Sequence, residues 1–291
     1  MKEKMARPAL FSAVVGASFA AVIIRSIDAP ALVIAFYRLL FTSLFLLPWV
    51  LRYSSSFKQV NKNNLIWMAL IGFVLTLHFA FWVESLNRTS VAVSVILVTS
   101  HPFFVAPLSV YLLQEKLTRV NIIGVVLAVL GVIVLVFNDL SISNTRLSGS
   151  ILALLGGIMA GIYIMAGRRF RKELDIVTYA LPVYLFATLF LFISCLIFRQ
   201  SVFSVGREDM GLIMLMAVLS GIIGHTLFNW SLKYVRAATA SVALVVEPIG
   251  STIWAFLILD ESIGWVVFLA GGLTLLGIYL AISEKKKEIA Q

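Results

Sequence analysis

Charge is what this chain has least of. Only 13% of its 291 residues are Asp, Glu, Lys or Arg, about half the share of an ordinary soluble domain, while 61% are hydrophobic and mean hydropathy is +1.02. A soluble fold this apolar could not cover its own surface, so the surrounding solvent is lipid. Short alternating segments are also missing, which excludes a β-barrel. Cysteine is reduced to Cys195, in "FLFISCLIFR", so no intramolecular disulfide is possible and the residue reads as a small apolar group in a lipid-embedded helix. Three histidines show no metal-ligand spacing, so no metal site is expected. No cleavable signal peptide is expected either: the apolar run from Pro8 is too long and lacks a small-residue cleavage site.

What is present is a succession of apolar runs of about 20 residues, the length that crosses a hydrocarbon core. They predict ten membrane helices, at 8–25, 31–51, 65–86, 89–113 and 119–137, then 147–166, 176–198, 209–232, 237–259 and 263–283. The breaks between them, such as "RSIDAP", "NDLSISNTR" and "RQSVFSVGRED", leave no room for a soluble domain. Lys and Arg are spread unevenly over these breaks. If the N-terminus is cytoplasmic, seventeen lie on the cytoplasmic side and five (Arg25, Arg88, Arg146, Arg199 and Arg207) opposite, with Arg38 left inside a span. The positive-inside rule then predicts both termini inside. The net charge of +9 is thus a topology signal, and no base-reading chemistry accompanies it, so no nucleic acid partner is expected.

Shifted by 146 residues, the chain partly repeats itself. "SVILVTSHPFFVAPLSVYLLQEKL" lies over "ASVALVVEPIGSTIWAFLILDESI", which puts Pro102 on Pro248, Glu115 on Glu261 and, further on, Gly131 on Gly277. His78 falls on His225 at a shift of 147. The division is therefore residues 1–140, with helices 1–5, and residues 145–291, with helices 6–10. An odd number of spans per half turns the second half upside down relative to the first, the arrangement by which secondary transporters alternate access to a midplane site. "LNRTSVAVSVILVTSHPFFVAPLSVYLLQEKLTRVNIIGVVLAVLGVIVLV", its second-half counterpart "LKYVRAATASVALVVEPIGSTIWAFLILDESIGWVVFLAGGLTLLGIYLA" and the opening pair with Pro30 and Arg38 resemble the EamA-type members of the drug/metabolite transporter superfamily. That resemblance implies an all-α membrane protein of ten helices in two inverted five-helix repeats, cytoplasmic termini, and outward movement of small metabolites, often amino acids. His101 departs from the pattern, where an uncharged residue is more usual; Glu247 fits it.

Ionisable groups inside a span cost ~2.5 kcal/mol or more and usually face a cavity or a partner. Those here are Arg38, His78, Glu84, His101, His225 and Glu247. His101 and Glu247 stand at equivalent positions, each before a proline that deprives a carbonyl one turn back of its helical donor. They are the expected substrate- and proton-binding centre, with Pro102 and Pro248 as helix kinks; the plainer alternative is a mutually satisfied pair. A carboxylate–imidazole pair could exchange a proton for a cationic or zwitterionic substrate. His78 and His225, with Trp82, Asn229 and Trp230 nearby, read either as a cavity wall that stacks on substrate or as ordinary helix packing. Arg38, whose equivalent in the second half is Tyr184, either pairs with Glu84 near the outer ends of their helices or reads a substrate carboxylate. Glu115 and Glu261 are expected to cap the helices that follow them. Glycines in "GVVLAVLG" and "GGIMAG" read as close helix contacts.

The expected function is secondary active export of small metabolites, amino acids or related zwitterions, without cofactor. The protein is expected as a monomer or homodimer in the plasma (inner) membrane of a prokaryote, with protons as coupling ion. A uniporter or a multidrug or nucleoside exporter of the same fold stands as the alternative. An intramembrane enzyme would want paired carboxylates or a nucleophile with its base, and only Glu247 lies well inside a span.

Overall fold

A computed structural model describes residues 2–52, 57, 60–102, 118–170, 174–231 and 237–282. Apolar runs this long have one way to satisfy their backbone in lipid, by i→i−4 hydrogen bonding, and the described residues are helical almost throughout with no strand. The helices are α1 (Lys2–Ser18), α2 (Ala20–Arg25), α3 (Ala31–Arg52), α4 (Lys62–Leu86), α5 (Val91–Thr99), α6 (Arg119–Ile142), α7 (Asn144–Phe170), α8 (Ile176–Ile197), α9 (Arg207–Met216), α10 (Leu227–Ser231), α11 (Ala237–Leu259) and α12 (Trp265–Ile282). Seven stretches among them are long and apolar enough to cross a membrane, and Val246–Leu259 and Trp265–Ala281 are shorter apolar helices. Large apolar side chains such as Phe137, Ile122, Phe268 and Leu269 are exposed along α6 and α12, as lipid as solvent requires. The chain is an all-helical membrane protein.

Several boundaries differ from expectation. The break "NDLSISNTR" closes to one residue: Ser143 adopts φ −168°, ψ 156° and its hydroxyl caps Arg146 N at 3.2 Å, so α6 and α7 nearly abut. The eighth span is not one regular helix, because Ala217–Thr226 between α9 and α10 is π-helical. Pro102 does follow a helix end, α5 stopping at Thr99 with Ser100 Oγ turned back to Leu97 O at 2.6 Å. Pro248, by contrast, lies inside the continuous helix α11. The expected fourth span lies beyond the described residues from 103 onward, and so does Glu115.

Helix packing follows the small residues. α6 and α12 run antiparallel: Gly124 lies against Gly277, Leu280 and Ala281, while Gly131 lies against Ala270 and Thr274. A methyl on Gly131 would come 2.7 Å from Ala270 O, and one on Gly277 would come 2.7 Å from Gly124 O. The 146-residue shift exchanges Gly131 with Gly277 and Gly124 with Ala270, so each of these contacts is carried onto the other. Contacts that map onto themselves in this way are isologous, as about a two-fold axis. The rest of the bundle is interlaced to match. α4 packs on α7, and the π-helical segment and α10 pack on α1; α5 packs on α7, and α11 on α1.

Asp139, placed by sequence in a polar break, is wholly buried near the end of α6. Its Oδ2 accepts from Thr89 Oγ1 and from Ser150 Oγ at 2.6 Å, tying the α4–α5 turn and α7 to α6. Removal of the carboxylate strands both hydroxyls, at about 1–3 kcal/mol for each buried group left unpaired. Asp139→Leu is therefore expected to lower detergent-solubilised thermal stability markedly, and Asp139→Asn far less, in a melting assay on the two purified variants.

Candidate functional site

Arg38 is the largest fully buried side chain among the described residues, 1% exposed, on the inner face of α3. A guanidinium there must be solvated by protein. Its Nη2 donates to Ser220 Oγ at 2.5 Å, and its Cζ stands 4.4 Å from the Phe79 ring centroid and 5.5 Å from that of Trp82. Cation–π contact offsets part of the desolvation. Two of its donors, Nε and Nη1, find no hydrogen-bond partner among the described residues, and neither does Trp82 Nε1. Glu247 and Tyr184 are within electrostatic reach of the guanidinium, and Glu247 is partly buried.

The histidines surround this cation. His78 Nδ1 lies 2.9 Å from Gly156 O, and its ring stacks on Trp82 at 6.0 Å. Gly156 makes that approach possible, since a Cβ there would sit 3.4 Å from His78 O and 3.3 Å from Trp82 N. His225 meets the Phe79 ring edge-on at 6.3 Å, and both His78 and His225 feel Arg38 electrostatically. His101 is buried, with Nδ1 3.4 Å from Val98 O, and is an electrostatic neighbour of His78. Arg38, Tyr163, Tyr184, Gly221, His225 and Phe79 line a space of about 10 Å³, room for about one water, so the centre is closed in this conformation.

Most of the residues singled out from sequence thus converge, but on Arg38 rather than on a His101–Glu247 pair alone. The expected pairing of Arg38 with Glu84 does not occur. Glu84 takes its i+4 neighbour Arg88 instead, 2.7 Å to Nη2 and 2.8 Å to Nε, because Glu84 lies at the exposed end of α4 and Arg88 in the turn that follows, while Arg38 points inward. Glu261 caps a different helix from the one expected: its Oε2 accepts from Val91 N at 2.9 Å, at the start of α5, and its Oε1 lies 3.6 Å from Arg25 Nη2. Trp230 lies on α10, five residues past His225, and the side chain of Asn229 lies outside the described residues. Sequence reading missed Phe79, Tyr163 and Ser220. The nearest available signal for Ser220 was "SGIIGH": Gly221 packs on Thr42 and Gly224 on Ala17, which draws the π-helical segment in against α3 and α1. π-Helical turns concentrate at functional sites.

An all-helical, lipid-embedded bundle around a buried, incompletely satisfied cation defines an integral membrane protein with a polar centre. The EamA-like transporter family matches the chain twice, over residues 6–137 and 147–283, and the chain belongs to that family. It is 24% identical over 258 residues to an uncharacterized transporter of Archaeoglobus fulgidus, covering 87% of this chain and 88% of that one. An uncharacterized transporter of Helicobacter pylori is 27% identical over 271 residues, covering 87% of each, and one of Clostridium kluyveri is 21% identical over 236 residues, 79% of this chain and 76% of its own. A crystal structure with 17% sequence identity superposes with a TM-score of 0.68 over 96% of each chain, a likeness of fold. The protein is a transporter of this family.

Proposed function

We propose that this transporter carries small zwitterions, amino acids or close relatives, outward across the plasma membrane, with both termini cytoplasmic, by alternating access around Arg38 and Glu247. The observation that carries the reading is the set of donors at the centre without a partner among the described residues: Arg38 Nε, Arg38 Nη1 and Trp82 Nε1. Buried donors without acceptors cost about 1–3 kcal/mol each, and such groups in a native structure call for an explanation. A substrate carboxylate supplies the missing acceptors, and its ammonium faces Glu247 across the same space. The aromatic rings of Phe79, Trp82 and Tyr184 take the carbon skeleton between the two charges.

The isologous antiparallel contact of α6 with α12 supports alternating access, since two halves related in this way have an equivalent state with the opposite mouth open. The closed centre must open to admit substrate, and the helices that carry Arg38 and Glu247, α3 and α11, belong to different halves. Separating the halves on one side at a time would present the same charges first inward, then outward. Proton coupling falls to Glu247 with His101, because an ammonium and a proton compete for one carboxylate.

Reconstituted protein is expected to show counterflow of radiolabelled amino acids that depends on pH, since a proton and a substrate ammonium compete for Glu247. In Glu247→Gln that dependence should disappear. Counterflow by Glu247→Gln equal to wild type in both rate and pH profile overturns the role of Glu247. Efflux of nucleosides or cationic dyes in place of zwitterions overturns the substrate class.

A further inference from the structure

A second cavity lies away from Arg38, at the end of the bundle that the charge count places outside. It encloses about 440 Å³ and three arginines line it, from three different elements: Arg25 ending α2, Arg88 in the α4–α5 turn and Arg146 in the first turn of α7. Two of them have acidic partners. Arg25 is shared between Leu86 O at 2.7 Å and Glu261, and Arg88 holds Glu84. The third nearby carboxylate, Asp139, is wholly buried and engaged by Thr89 and Ser150. Arg146, half-buried, has no side-chain partner among the described residues. The amino ends of α5, α7 and α12 border the same cavity through Ser90, Arg146 and Gly264, and each adds partial positive charge.

Part of the lining is apolar and exposed. Ile142, Ile263, Trp265 and Val266 line the cavity and are exposed, Trp265 at 79%, and Phe268 and Leu269 continue that exposed face down α12. A tryptophan at the end of a lipid-facing helix marks headgroup depth. The ligand that fits both the basic and the apolar lining has one oxyanion and an acyl chain beside it.

From this we infer that the cavity is a binding site for the phosphodiester of an anionic membrane lipid, with Arg146 as its principal contact and Arg25 and Arg88 at the rim. Basic pockets between membrane helices are known to hold lipid headgroups. Here the bound lipid would bridge α2, the α4–α5 turn, α7 and α12, elements drawn from both halves of the chain.

The test uses the full-length protein purified in neutral detergent, with the shift in thermal midpoint read as a function of added lipid. Dioleoyl phosphatidylglycerol should stabilise the wild type above the effect of dioleoyl phosphatidylcholine. In Arg146→Gln the apparent affinity for phosphatidylglycerol should fall about tenfold, the loss of one charge-assisted hydrogen bond. Arg199→Gln, at the same end of the bundle but outside the cavity, should keep wild-type affinity. Since Arg146 makes no side-chain hydrogen bond among the described residues, its variant should fold, which circular dichroism checks. Equal stabilisation by the two lipids, or equal losses in Arg146→Gln and Arg199→Gln, overturns the site. Stabilisation by soluble glycerol phosphate as large as that by phosphatidylglycerol overturns the lipid as occupant. Counterflow measured in phosphatidylcholine liposomes should be unchanged in Arg146→Gln, so this test stands or falls apart from the central site.

Discussion

Arg38→Gln should abolish counterflow of any carboxylate-bearing substrate while the protein still reaches the membrane and purifies as a folded species. The guanidinium is the only full positive charge at the centre among the described residues; it is within electrostatic reach of Glu247, and two of its donors find no partner among the described residues. Glutamine ends about where Nε stands, short of Ser220, and carries no charge to offset a substrate carboxylate. Breaking one side of a buried charge pair costs about 2–5 kcal/mol, so apparent affinity should fall by roughly 30-fold to several thousand-fold. Arg38→Lys discriminates further: it restores the charge but neither the planar stacking over Phe79 and Trp82 nor the spread of donors. Partial recovery in Arg38→Lys points to charge as the main requirement, and none points to geometry. Wild-type counterflow in Arg38→Gln would remove Arg38 from the mechanism and leave it as a packing residue.

The largest effect on stability is expected at the α6–α12 contact. Gly131→Leu and Gly277→Leu each drive a side chain into the partner helix, where even a Cβ would meet Ala270 O or Gly124 O at 2.7 Å. Overpacking typically costs about 1–3 kcal/mol, and backbone rather than a flexible side chain is in the way here, so the upper end or beyond is expected. Because the two contacts are equivalent under the 146-residue shift, the two variants should lose similar amounts of thermal stability and of expressed protein. Gly272→Leu is the control, since no described residue lies within 4 Å of its Cβ position, and should behave as wild type. A Gly131→Leu variant as stable as Gly272→Leu would mean that the helices do not pack through these glycines.

The periodic, charge-poor composition made the class of protein readable before any coordinates. Lipid as solvent leaves a chain few options, so runs such as 31–51 and 176–198 became α3 and α8 with boundaries within a residue or two. The duplicated pattern was legible because prolines and glycines, unlike Leu, Ile and Val, are not interchangeable in a membrane helix. Where short-range rules compete with packing, the reading failed. "NDLSISNTR" looks like a loop by composition, yet Asp139 is buried in helix because Thr89 and Ser150 solvate it from other elements.

The candidate site divides in the same way. Expense alone singled out Arg38, His78, His101, His225 and Glu247, because an ionisable group in a span must have a reason to be there. Which of them would face one another was not written in the spacing. The shift of 146 residues aligned His101 with Glu247 and Arg38 with Tyr184, but residues at equivalent positions need not be in contact. Depth along a helix likewise suggested Glu84 for Arg38, whereas rotation about the helix axis turned one outward to Arg88 and the other inward to Ser220.

By itself the sequence determined that this protein lives in lipid, that it is helical and that it resembles itself twice, since each follows from the free energy of transferring single side chains and from local backbone chemistry. Only the tertiary structure decided that Arg38 is the hub, that Ser220 and Phe79 attend it, that Gly131 and Gly277 make equivalent contacts, and that Arg146 opens on a cavity with an exposed apolar lining. Those are matters of which helix faces meet, and they depend on contacts between residues far apart in the chain.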